Sequence, residues 1–263
     1  MIGCLVKSAA KSKMKGMWEM KDISSTKYRS QCLWGMWASL VIGVMYLGIG
    51  VLLPLDPAEK YRGQEYLIQL AAHPVIPRLW RYMFVIVAFL TILWISTADT
   101  VLRKKSSEAE GLYRWVRILG YGAAVVSAIQ WYKEIYMFRF MTNYTYDSTT
   151  SMYRDLLSII GTGIDPDYVW MFGALGLWYF AVSALAQKNG VFGTAGNAFG
   201  ILSGVALLVT MIFAMTDTMI YFPNGQQMAV MQITALLGGV FGAVYHILMF
   251  FDIKKIMKEM IAI

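Results

Sequence analysis

Six stretches of about 20 mostly apolar residues dominate this chain, and each can cross the ~30 Å hydrocarbon layer of a bilayer as a helix rising 1.5 Å per residue. They run roughly Leu33–Leu53, Leu79–Leu102, Val116–Phe138, Tyr168–Ala186, Asn197–Met215 and Met228–Phe251. Composition agrees. Of the 263 residues, 58% are apolar and 15% charged, against about 45–50% and about 25% in soluble domains. A soluble core of this length cannot cover so much apolar surface, so lipid must cover part of it. A secreted disulfide scaffold, a disordered tail and an ordinary cytosolic enzyme are excluded. The expected fold is all-α, a polytopic transmembrane helical bundle of six spans over residues 33–251. A basic segment, residues 1–32, precedes it and a short basic tail, residues 252–263, follows.

The cations sort to one side of this threading. Lys7, Lys11, Lys13, Lys15, Lys21, Lys27 and Arg29 precede the first span, and Arg103, Lys104, Lys105, Arg114 and Arg117 lie between the second and third. Lys188 follows the fourth span, and Lys254, Lys255 and Lys258 follow the sixth. These are 16 of the 23 Lys and Arg residues; Lys60, Arg62, Arg78, Arg81, Lys133, Arg139 and Arg154 occupy the other side. Positive charge is retained on the cytoplasmic side, so both termini are expected there, in a multi-pass protein of the cell membrane. The net charge of +7 then reports topology, and no nucleic-acid partner is expected. Cys4 and Cys32 fall on the reducing side, where a structural disulfide is not expected. The N-terminal segment is no cleavable signal, because Met1–Val6 is too short an apolar core. With Met14, Met17, Trp18 and Met20 among its lysines, it reads either as an interfacial helix on anionic lipid or as a disordered tail that sets orientation.

Two outer loops, residues 56–77 and 142–167, are long enough to carry structure. The middle of the first, Glu59–Ala72, holds helix formers between prolines and could lie along the membrane surface. In the second, Asp147, Ser148 or Thr149 could cap a short helix burying Met152, Leu156, Ile159 and Ile160. Helices in lipid pack through small residues. Gly196, Gly200 and Gly204 on the fifth span, Gly238 and Gly242 on the sixth, and Gly120, Ala124 and Ala128 on the third are the candidate packing faces, with the fifth and sixth spans expected to pack closely. Trp34, Trp37, Trp80, Tyr82, Trp115, Trp131 and Tyr132 gather toward span ends, as in an interfacial aromatic belt.

Signals for chemistry are sparse. The two histidines, His73 and His246, are too few for a two-haem b-type cytochrome and are expected on opposite faces, so no shared metal site follows. His246 reads as a packed, hydrogen-bonded residue, with single axial ligation as the alternative. No lysine lies mid-span for a retinal Schiff base, and no phosphate loop or nucleophile elbow is present. No cofactor is evident and no catalytic residue stands out. What remains is a group of ionisable residues at the outer span ends: Arg78 and Arg81 opening the second span, Lys133 and Glu134 in the third, Asp165 and Asp167 before the fourth, and Asp217 closing the fifth. Ser127, Gln130 and Glu134 recur at helical spacing as one polar stripe. Charge within membrane helices is costly and marks pathways, so these residues could line an outward vestibule floored by Gln130 and Glu134. The alternative is ordinary interfacial pairing, such as Arg81 with Asp165 or Glu134 with Arg139. Asp99 is expected to pair with Arg103 one turn on, and Asp252 to sit among Lys254 and Lys255.

The order of features has a parallel. A proline break ends the first span, Ala72-His73-Pro74 closes the lid, Arg78-Leu79-Trp80-Arg81 enters the second span, Glu134 ends the third and Phe172-Gly173 opens the fourth. This layout resembles that of the broad group of uncharacterised six-span prokaryotic membrane proteins. The resemblance implies the span count and carries no activity or functional residue.

Three functions fit the sequence. The first is a non-catalytic scaffold or interaction subunit of a larger membrane complex, whose partners are the lipid bilayer and other membrane subunits or further copies of itself. The second is a binding protein or carrier for a small molecule, polar or apolar, in the outward vestibule. The third is a membrane enzyme using Glu134 or His246 in proton transfer.

Overall fold

The computed structural model describes residues 2–61, 63–105, 110–143, 164–165, 168–219 and 225–261, with side chains described from residue 27 onward except at 63–67, 105, 110, 137–143, 217–219, 225–229 and 260–261. Every regular element among the described residues is helical. Six long helices are present: α1 (Ile2–Leu55), α3 (Val75–Lys105), α4 (Glu110–Asn143), α5 (Leu175–Lys188, entered through a π-helical turn, Val169–Ala174), α6 (Thr194–Met219) and α7 (Gly225–Ile261). A short helix, α2 (Gly63–Ala72), lies in the first loop. That is where the helix formers of Glu59–Ala72 were expected to coil, and a 3₁₀ turn at Pro57–Lys60 precedes it. Asp56 caps this turn, its Oδ1 accepting from Ala58 N at 2.9 Å, with Pro57 in the first position where no N–H is needed.

Among the described residues, five helical segments are long and apolar enough to cross a membrane: Lys27–Leu55, Val75–Lys104, Val169–Lys188, Thr194–Thr216 and Val230–Glu259. The third expected span is also a helix, and at 34 residues α4 has ample length. It is not among the five, since Arg114, Arg117, Lys133 and Glu134 dilute its apolar character. The chain is thus a membrane-embedded helical bundle.

The six long helices form a closed ring in sequence order. Each packs chiefly on its sequence neighbours, and α7 returns to pack on α1. Contacts between neighbours run in opposite directions along the chain. On α1 and α3, Gln31 bonds Ser96 and Thr100 while Tyr46 meets Phe84. On α3 and α4, Asp99 meets Arg117 while Arg81 meets Glu134. On α6 and α7, Gly193 meets Asp252 while Thr210 meets Thr234. Short connections enforce this order between α3 and α4, α5 and α6, and α6 and α7. One end of the ring therefore carries Asp56, Arg81 and Glu134, and the other carries Asp99, Arg117 and Asp252. The described start of α1 and the end of α7 share the Asp99 end.

Glycines set the helix spacing, although the division of labour differs from the sequence expectation. Gly204 does not face α7. A Cβ there would lie 2.6 Å from Gly176 O and 2.7 Å from Phe180 N, so this is the crossing point of α5 and α6. Gly200 sits between Ser183 of α5 and Tyr245 of α7, and Gly196 meets Met249. Gly238 meets Leu207, and Gly242 faces Ser203. Ser203 Oγ also donates to Gly238 O at 2.8 Å. The stripe on α6 thus serves two partners, because its residues step around the helix as they climb it. At the Asp99 end, Asp99 takes Arg103 Nε at 2.9 Å and Arg117 Nη1 at 3.0 Å. Asp252 takes the Gly193 N–H at 2.9 Å, tying the α5–α6 loop to α7.

Two expectations on aromatics change. Trp80 is no belt residue: it is buried, and its Nε1 donates to Asp56 Oδ2 at 2.9 Å. Trp131 stacks on Phe84, centroids 4.6 Å apart, facing inward. Trp34, Trp37, Tyr82, Trp115 and Tyr132 are exposed. The expected helix at 147–160 lies outside the described residues.

Candidate functional site

A cavity of about 680 Å³ occupies the centre of the ring, and all six long helices line it. Along α3 it runs from Arg81 to Thr91, ten residues and hence about 15 Å of helix. Its wall is largely aromatic and aliphatic, with Phe84, Val87, Trp131, Phe172, Leu207 and Leu236 among the lining side chains. Polar groups concentrate toward its two ends.

At one end Arg81 and Glu134 meet, Nε to Oε2 at 2.7 Å. Arg81 is held further by donation from Nη1 to Pro77 O at 3.1 Å, and its guanidinium lies 3.8 Å over the Trp80 ring. Gln130 Nε2 donates to Glu134 Oε1 at 3.3 Å, while Gln130 Oε1 accepts from Ile164 N at 3.1 Å. Gln130 and Glu134, one turn apart on α4, thus connect α3 to the segment entering α5. Ser127 lines the cavity one turn deeper.

The entry to α5 is locally irregular. Tyr168 has φ 55° and ψ 28°, the left-handed region that a bulky residue rarely adopts. Asp165 holds the turn: its carbonyl accepts from Tyr168 N at 3.1 Å, and Oδ2 accepts from Trp170 N at 2.9 Å and Met171 N at 2.7 Å. Tyr168 O then accepts from both Phe172 N and Gly173 N, which opens the π-helical turn. Tyr168, Met171 and Phe172 all line the cavity. Strained backbone and π-turns concentrate at functional sites, and here both aim side chains into the cavity.

The other end is built on His246, which is fully buried. Ser39 Oγ donates to His246 O at 2.8 Å and lies 3.1 Å from Nδ1. A hydroxyl has one proton to give, so Nδ1–H must donate to Ser39. Nε2 is then the acceptor, and Tyr179 Oη donates to it at 2.6 Å. The Tyr46 ring lies 6.3 Å from the imidazole, and both tyrosines line the cavity floor. Tyr245 and Trp94 pack edge-on against the imidazole. Both ring nitrogens of His246 are engaged, so the axial-ligand alternative would require breaking one of these bonds.

The residues singled out in the sequence separate accordingly. Ser127, Arg81 and Glu134 line the cavity, while Gln130, expected with Glu134 as its floor, bonds Glu134 but does not line it. Asp165 stands beside it as a cap for the α5 entry and not as the partner of Arg81 foreseen in the pairing alternative. Arg78 and Lys133 are half-buried near this end and do not line the cavity. Asp167 and the side chain of Asp217 lie outside the described residues. Sequence reasoning missed the Tyr46–Tyr179–His246 floor and the inward Trp131 and Phe84. One signal was available: Tyr46, Tyr179 and Tyr245 sit deep within their spans, away from the belt positions at span ends.

No protein-family model, curated protein or solved structure matches this chain.

Proposed function

We propose that this chain is a binding protein or carrier for a small, largely apolar molecule, which it holds in the central cavity. In this reading α4 is also a span, the third in chain order, which brings the total to six, and both termini are cytoplasmic in the cell membrane. The observation that carries it is the cavity: about 680 Å³ falls within the ~300–1,000 Å³ of small-molecule pockets, which are mostly apolar with a few convergent polar groups. A scaffold works through its outer surface and leaves such an interior without a role. Support for α4 as a span comes from where its side chains point. Glu134 is turned inward to Arg81, while Ile118, Val125, Ile129 and Tyr132 are exposed, so its outer face is apolar although its average is not. Ser127→Trp fills the cavity from α4. Protein purified in mild detergent is expected to carry a small molecule detectable by mass spectrometry, and the variant, melting normally, is expected to lose it. Equal retention in both overturns the reading. Co-purifying protein subunits around an empty cavity would put the scaffold in its place.

A further inference from the structure

The seam between α1 and α7 closes at one end and opens at the other. On α7, Leu236, Gly239, Ala243 and Ile247 recur at three- and four-residue spacing and share a face. On α1, Gly43 and Gly50 stand two turns apart and also share a face. Toward the Asp99 end the two faces touch: a Cβ on Gly43 would lie 2.8 Å from Ile247 Cγ1 and 3.0 Å from Ala243 O. Ser39 and His246, bonded at 2.8 Å, reinforce that crossing. Toward the Arg81 end they part. A Cβ on Gly50, or on Gly239, meets no described atom within 4 Å, and both glycines line the cavity. Burial along the α7 face follows the same gradient: Ala243 is 0% exposed, Val240 41% and Leu236 52%. Val240 and Leu236 line the cavity as well.

The rim of this opening is mostly apolar, with the exposed Gln232 of α7, one turn from Leu236, lining the cavity as well. Leu47 and Val51 on α1, and Ile233 and Leu237 on α7, are exposed beside it. All four lie within helical segments apolar enough to cross a membrane, so the opening faces hydrocarbon. A polar solute gains nothing by approaching through lipid, whereas an apolar one need never enter water.

We propose that the gap between α1 and α7 at the Arg81 end is a lateral portal, through which a membrane-dissolved amphiphile, a linear apolar chain with one polar head, passes between the bilayer and the cavity. The apolar chain packs along Phe84, Phe172 and Leu207, and the head hydrogen-bonds at the Arg81–Glu134 end. This rests on the cavity being a binding site and adds the route and the ligand class.

The test uses a long-chain alcohol bearing a terminal diazirine, dissolved in phosphatidylcholine vesicles holding the full chain. Photolabelling of Phe84 and Tyr179 is followed against time by mass spectrometry. Leu236→Trp narrows the portal and is expected to slow labelling about tenfold, the scale on which related association rates vary. Leu236→Ala widens it and is expected to speed labelling. Ser127→Trp fills the cavity and is expected to lower the extent. If both Leu236 variants label at the wild-type rate while the cavity walls are labelled, the portal is overturned and the cavity reading stands. If the wild-type walls take no label at all, both fall. Should Leu236→Trp fail to fold, the rate of Leu236→Ala decides alone.

Discussion

Arg81 Nε stands 2.7 Å from Glu134 Oε2, joining α3 to α4 at the end of the cavity, with the arginine side chain 4% exposed and the glutamate 23%. The pair exists because neither charge can be left alone in hydrocarbon. Each carries further bonds, to Pro77 O and from Gln130 Nε2, that satisfy part of what desolvation removes.

Removing one partner strands the other. Glu134→Gln keeps the shape and loses the charge, and is expected to destabilise the bundle by about 3–5 kcal/mol, toward the lower figure because the glutamate opens on the cavity. Arg81→Met combined with Glu134→Leu is expected to recover most of the loss. Thermal melting in detergent of the wild type, Arg81→Met, Glu134→Leu and the double variant is the measurement, and additive losses would mean the two charges do not depend on each other.

Tyr179→Phe deletes the donor to His246 Nε2 and leaves a buried acceptor without its partner. The expected cost is about 1–3 kcal/mol, read as a lower melting temperature. Ser39→Ala is expected to act in the same direction. A phenylalanine variant as stable as the wild type would mean that cavity water replaces the hydroxyl.

Two glycines on neighbouring helices should respond oppositely to enlargement. Gly204→Leu drives a side chain into the Gly176 carbonyl and the Phe180 amide, which are backbone and cannot rotate away. It is expected to cost about 1–3 kcal/mol or more. Gly239→Leu enters open space and is expected to leave the melting temperature near that of the wild type. Equal effects would remove the α5–α6 crossing as the reason for Gly204.

Sidedness can be read with thiol reagents in a background lacking Cys4 and Cys32. Val75→Cys, highly exposed at the start of α3, and Lys188→Cys, exposed at the end of α5, lie at opposite ends of the ring. An impermeant maleimide applied to intact cells is expected to label residue 75 and not residue 188. The reverse pattern would invert the proposed topology.

The apolar helical segments and the polar stripe on α4 were legible in the sequence because they depend on short-range regularities. Helical period and length against bilayer thickness are properties of consecutive residues. So is the register that puts Gln130 and Glu134 on one face, and the i,i+4 spacing that pairs Asp99 with Arg103 followed from it directly. The short helix after Pro57 was legible for the same reason.

What the sequence could not contain is which faces meet. Gly204 carries the same small-residue signal whether its neighbour is α5 or α7, and only the ring order assigns it to Gly176. Trp80 has the position of a belt residue, yet Asp56, 24 residues earlier in the chain, accepts its indole N–H and draws it inside. The cavity is the clearest case. No local pattern encodes an empty volume; it arises because six helices closed into a ring keep their inward side chains apart, and because α1 and α7, pressed together at Gly43, diverge toward Gly50. The sequence by itself determined that this chain lives in lipid as a set of helices, since hydropathy and helix rise are local. The tertiary structure alone decided that these helices surround a space with a polar floor, a charged end and a largely apolar seam, since that depends on contacts between distant residues, such as Ser39 and His246, 207 positions apart.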